Sequence, residues 1–150
     1  KRYRSAIERG EGFIDGLRRR GIALPPECIY DGGYTFESGV AGAETLLKRQ
    51  PRPSAIFACN DEMAAGVYKA ALRMGLSIPG DLSVVGYDDS PLAAPLWPAL
   101  TTIRLPVRDV GRQAAQLLLA EPRGAQNPTA ATAISVTPHL VVRDSGQPPA

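Results

Sequence analysis

Three polar clusters in this chain stand directly after glycines or short apolar runs: Tyr34, the pair Asn60-Asp61, and the pair Asp88-Asp89. Their residue types suit a small polyhydroxylated ligand. An asparagine such as Asn60 donates and accepts in one plane, and a carboxylate such as Asp88 accepts from two hydroxyl donors. The face of Tyr34 can cover the apolar side of a sugar ring. Each position also has a plainer reading. Asp61 is well suited to be a helix N-cap whether or not anything binds. Asp88 and Asp89 could satisfy turn backbone, Tyr34 could be loop packing, and Arg9 in the first turns of a helix is by default a surface charge.

An enzyme-like alternative would gather Asp61, Asp88 and Asp89 at neighbouring strand ends to hold a divalent ion, as a receiver-type carboxylate cluster. It lacks the expected lysine after the last parallel strand, where Arg104 stands. Other chemistries fare worse. No GxxxxGK[ST] loop is present, Gly32-Gly33 does not complete a GxGxxG pattern, and there is no GxSxG elbow. His139 is the sole histidine, which leaves His-pair zinc sites and Cys-His catalysis poorly supported. Cys28 and Cys59, with no CxxC spacing, read as reduced thiols of a cytoplasmic protein. No catalytic residue, metal or cofactor is expected.

The clusters need a scaffold, and the chain is long enough to build one. Its 150 residues are 44% hydrophobic and 21% charged, a globular composition. The net charge of +2 is well short of a nucleic-acid-binding footprint, and the run Arg18-Arg19-Arg20 lacks interleaved aromatics. No apolar run approaches the roughly 20 residues needed to span a bilayer, so a soluble chain without membrane partners is expected. Helical spacing places a stripe of Ile7, Ile14 and Leu17 over residues 5–20, stopped by Gly21. Residues 28–30 are a short strand candidate, and 36–49 a second helix with Val40, Ala43 and Leu47 inward.

The clearest unit follows. Residues 54–59 are the apolar run of a strand covered on both faces. A helix from Asn60-Asp61 to Met74 buries Ala64, Val67, Ala71 and Met74, with Gly75 as its cap. Residues 82–87 form another buried strand. Strand, helix, strand at these lengths is a βαβ crossover in a parallel sheet, whose ligands bind beyond the carboxyl ends of the strands. That edge is where Asn60, Asp61, Asp88 and Asp89 fall. A proline-rich loop leads to a strand at 101–105 and a helix at 107–120 with Val107, Val110, Ala114 and Leu117 aligned. One or two strands are expected within 134–142, and a disordered tail at 145–150.

From Pro53 through Gly66 the sequence reads PSAIFACNDEMAAG, and from Gly75 through Asp89 it reads GLSIPGDLSVVGYDD. With Leu100-Thr101-Thr102-Ile103 and Leu140-Val141-Val142-Arg143, this resembles the lac repressor/galactose repressor family of bacterial regulators over nearly the whole chain. The resemblance implies a periplasmic-binding-protein-like (type I) α/β fold of two subdomains, with the effector in the cleft between them. Residues 1–103 and 139–144 would be the C-terminal subdomain, and 104–138 a segment belonging to the N-terminal subdomain. The DNA-binding domain would be absent from this chain, so operator DNA would be met only through that missing part. By position, Asn60 and Asp88 match sugar-hydroxyl contacts, Arg9 a cleft arginine, Tyr34 a ring-covering aromatic and Ser5 a further polar contact. Leu105 stands where some members place a polar side chain, which puts that contact in doubt, and Asp89 is assigned no direct one. A homodimer through the C-terminal subdomain would place Ala65, Tyr68, Leu72, Leu96 and Trp97 near the interface. A free-standing sugar-binding protein of a transport system is the alternative.

Overall fold

The computed structural model describes residues 4–120 and 136–148. Helix α1 (Arg4–Arg18) is followed by a turn to Gly21, whose φ of 74° is the left-handed conformation that a helix stop favours. The expected strand at 28–30 does not form. Pro25 and Pro26 start a single 3-10 turn, Pro26–Cys28, in which Cys28 and Ile29 donate to the Pro25 and Pro26 carbonyls. Pro26 sits at its first position with φ already set for a turn, which a strand ladder could not use.

Helix α2 (Phe36–Leu46) is nucleated by a capping box between Thr35 and Ser38. Strand β1 (Ala55–Phe57) leads to α3 (Asp61–Arg73), then β2 (Ser83–Asp88), β3 (Thr101–Arg104), α4 (Val107–Ala120) and β4 (His139–Val141). The sheet runs in the order β1-β2-β3-β4. The first three strands are parallel, as expected, but β4 joins β3 antiparallel. Helices α2 and α3 share one face of the sheet, and they come close because glycines meet there. A Cβ on Gly66 would collide with the backbone of Phe36 and Val40, and one on Gly39 with that of Met63. Leu47, Val67, Leu82, Val84 and Leu100 fill the core between these helices and the sheet. On the other face α1 is held by Phe13, stacked on Phe57 with ring centroids 4.9 Å apart.

Residues 145–148 are ordered by long-range bonds, which corrects the expectation of a disordered tail from 145. Ser145 is fully buried; its hydroxyl donates to the Val84 carbonyl at 2.6 Å and accepts from the Thr101 amide at 2.8 Å. Gln147 bonds Ser83 and the Gly80 carbonyl. The polar composition of the segment hid partners about sixty residues away. Among the described residues, no helix is long and apolar enough to cross a membrane.

Candidate functional site

Strands β1, β2 and β3 end together because their register is in step, so Cys59-Asn60, Asp88 and Arg104 arrive at one carboxyl edge. Alternation along β2 turns Val84 and Gly86 toward α3 and Tyr87 toward α1. Tyr87 is a site residue that the sequence reading did not single out; its place on the strand face opposite the core was the available signal.

Arg9, one face of α1, is not a surface charge. Its guanidinium lies 3.9 Å from the Tyr87 ring centroid and 5.8 Å from that of Tyr34. Nη1 donates to the Cys59 carbonyl at 2.6 Å, and Nη2 is 3.3 Å from the Asp88 carboxylate. Two aromatic faces and two oxygen acceptors thus fix a planar fork, a role a flexible ammonium could not fill.

Asn60 caps α3, accepting from the Met63 amide at 2.8 Å while its Nδ2 donates to the Tyr34 carbonyl at 3.0 Å. It therefore does the capping expected of Asp61, a correction that frees Asp61 for another task. The Asp61 carboxylate is buried as the first residue of α3. It accepts from the Thr102 hydroxyl at 2.5 Å and from the Ser90 amide at 2.6 Å, pinning the loop after β2. Asn60 retains capacity for further bonds, since each of its polar atoms has one more site.

Tyr34, Asp88 and Asp89 all have positive φ, at 61°, 107° and 51°. Such conformations in non-glycine residues persist only where the surroundings enforce them, and they gather at ligand sites. Burial pushes the Asp88 carboxyl up from the usual aspartate range; Arg9 opposes the shift and the nearby Asp61 charge adds to it. Asp89 moves the other way. Burial would raise it, but its bonds and charge interactions with Arg143 and Arg104 outweigh that and hold it low.

The five residues singled out for ligand contact are thereby placed. Arg9, Tyr34, Asn60 and Asp88 are linked in one cluster, and Ser5, one turn before Arg9, lines a groove together with it. That groove, about 610 Å³, runs between α1 and the sheet past Phe13, Tyr87, Ile103 and Leu105. A second hollow of about 490 Å³ opens beyond Asp88, bordered by Asn60 and Ser90. Leu105 gives the groove an apolar wall. The receiver-type alternative is overturned by the carboxylates' partners: Asp61 holds Thr102 and Ser90, Asp88 faces Arg9, and Asp89 is gripped by two arginines. Among the described residues no group of three or more potential metal ligands is assembled.

Of the residues expected near a dimer interface, Ala65 is buried within this chain. Tyr68 donates to the Pro98 carbonyl at 2.9 Å, and Leu96 packs on the core. Leu72 and Trp97 are 79% and 92% exposed, so Trp97 is not a core residue. His139 opens β4 opposite Arg104 as an exposed polar residue, and both cysteines are free thiols.

A family model described as a periplasmic binding protein-like domain matches residues 1–146. The ribose operon repressor of Haemophilus influenzae is 43% identical over 114 residues, 76% of this chain and 34% of that protein. The transcriptional repressor PurR of Vibrio vulnificus is 37% identical over 92% of this chain and 41% of its own length. Among solved structures, a sugar-binding transcriptional regulator of the LacI family from Escherichia coli, complexed with phosphate, superposes with a TM-score of 0.85. It is 34% identical, over 95% of this chain and 50% of that one. The transcriptional regulator CelR in complex with cellobiose gives 0.84 at 33% identity, over 93% and 42%. The chain spans between a third and a half of the length of these relatives.

Proposed function

The chain belongs to the periplasmic binding protein-like domain family, in the form carried by LacI-type regulators, and on that premise we propose that it is the effector-sensing part of a bacterial transcriptional regulator. The effector is a sugar or a related small polar metabolite. The observation that carries this reading is the Arg9–Asp88 pair at the open carboxyl edge of the sheet, with the Arg9 guanidinium against the rings of Tyr34 and Tyr87. Hydroxyl donors would meet Asp88, hydroxyl acceptors would meet Arg9, and a ring's apolar face would meet Tyr34. Asn60 and Ser5 lie close enough to the cluster to add contacts.

In this reading residues 1–103 and 139–144 form the C-terminal subdomain of the effector domain, and 104–138 belong to the N-terminal one. Support comes from α4, where Val107 and Leu118 lie on one face and are 67% and 79% exposed, with no cover among the described residues. Effector bound between the subdomains would favour one relative orientation, and only a difference in affinity for the two orientations can move that equilibrium. Operator DNA would be contacted through a separate DNA-binding domain, in the cytoplasm, by a homodimer. A thermal-shift screen of the full-length regulator against a panel of sugars tests the reading. At least one sugar should raise the melting temperature in proportion to the logarithm of its concentration. A panel spanning pentoses, hexoses, disaccharides and nucleosides that leaves it unmoved would overturn the proposal.

A further inference from the structure

Asp89 has no direct ligand role in the reading above, yet it is the most heavily committed carboxylate at the sheet edge. Its side chain is 6% exposed. Oδ2 accepts from Arg104 Nε at 2.5 Å and Oδ1 from Arg143 Nη2 at 2.7 Å. The two arginines occupy special places. Arg104 is the last residue of β3, paired with Asp88 on one side and with His139, the first residue of β4, on the other. Arg143 follows β4; its Nη1 donates to the Leu100 carbonyl and its amide to the Thr101 hydroxyl. The chain leaves the sheet after Arg104 and re-enters it at His139. Asp89 therefore clasps the exit and the return at once, and it does so from the residue next to Asp88.

The clasp is also rigid on its own side. Asp88 and Asp89 both have positive φ, and Ser90 is anchored by its amide to the buried Asp61 carboxylate, which also takes the Thr102 hydroxyl. A turn held at both ends passes a displacement on rather than absorbing it, because packed, hydrogen-bonded elements shift between discrete arrangements. Charge-assisted bonds of this kind are strong and directional, and a carboxylate shared by two guanidiniums cannot follow one without moving against the other.

We propose that Asp89 is a positioning residue: it sets the orientation of Asp88 and ties the ligand site to the two points where the chain leaves and re-enters the sheet. Occupancy at Asp88 is then transmitted to the excursion 105–138 through Arg104 and Arg143. The inference rests on the functional reading above.

The test uses the full-length regulator and whichever of D-ribose, D-glucose and cellobiose raises the parent's melting temperature most. Sugar affinity is measured by calorimetry, and amide exchange at residues 104–105 and 139–143 is followed with and without sugar. In the parent, sugar should slow exchange at both crossings. In Asp89→Asn the dissociation constant should rise about tenfold, within the usual span of a coupling between sites, and the sugar-dependent slowing at the crossings should vanish. Arg104→Gln alters a half-exposed side chain and decides the matter if Asp89→Asn does not fold; it should shift both readouts the same way. A purely structural role would lower the melting temperature and quicken exchange equally with and without sugar. Parental affinity together with parental sugar-dependent slowing in the variants would overturn the proposal. If none of the three sugars acts on the parent, it is the functional reading that is damaged, which separates the two failures.

Discussion

Asp88 carries the most direct expectation about the ligand. Its carboxylate lies at the end of β2, partly exposed, with Arg9 on one side and open space on the other. In the proposed reading, replacing it by alanine would leave ligand hydroxyls unpaired, at a cost of about 1–3 kcal/mol. Asp88→Ala should therefore weaken effector binding about tenfold or more in calorimetry, and parental affinity would remove Asp88 from the site. The direction of its pKa shift adds a pH dependence. A carboxyl raised above the ordinary 3.8 holds its proton more tightly when folded, so ionisation opposes folding as pH rises through that window. Asp88→Asn without effector should accordingly melt no lower than the parent at neutral pH. Effector affinity should fall on acidification at a higher pH than an ordinary aspartate would dictate. Asp89 has the opposite sign: its contribution to stability is complete above 3.8 and is lost as pH falls through its lowered value. In Asp89→Asn that acid limb of the melting profile should flatten. The ligand-type residues were legible because Asn and Asp directly after apolar runs must fall at a strand edge. The roles of Asp61 and Asp89 were not, since their partners Thr102, Arg104 and Arg143 are 15 or more residues distant in sequence.

Among the elements, α3 was legible almost to the residue, because Ala64, Val67 and Ala71 repeat at helical spacing and all three are buried. The choice of cap was not, since Asn60 and Asp61 are adjacent and both residue types cap well. The 3-10 turn at Pro26–Cys28 was misjudged because apolar character alone does not distinguish a strand from a turn that a proline has already preset. Tests at this scale follow from close approach and from buried hydroxyls. Gly66→Ala forces a methyl into the α2 backbone and should cost about 1–3 kcal/mol or more in urea unfolding, as overpacking does; a neutral result would mean the helices stand further apart. Ser145→Ala removes the hydroxyl that bridges Val84 and Thr101 and leaves a buried amide without its acceptor. Destabilisation by about 1–3 kcal/mol is expected, and unchanged stability would show that the segment after β4 does not close the sheet in solution.

At the scale of the whole molecule, an exposed apolar surface asks for cover. Leu72 and Trp97 project from the α3 side, and large exposed apolar groups on a small domain mark interfaces. If the regulator is a homodimer through this face, Trp97→Ser should weaken self-association at least about tenfold in sedimentation, since buried tryptophans dominate interface energetics. An unchanged dimer would place the interface elsewhere. The fold class was legible from the alternation of strands and helices, whereas the antiparallel direction of β4 was not, because pairing direction is set by where a chain returns and not by the strand's own residues. The central claim concerns coupling, and operator binding by the full-length regulator, measured with and without the sugar that binds it, tests that claim most directly. The account predicts that sugar changes operator affinity by about 5–150-fold, the usual range for coupled sites. It also predicts that Asp88→Ala still binds operator but no longer responds at the same sugar concentration. A sugar that binds yet leaves operator affinity unchanged, or an Asp88→Ala protein that responds as the parent does, would contradict it.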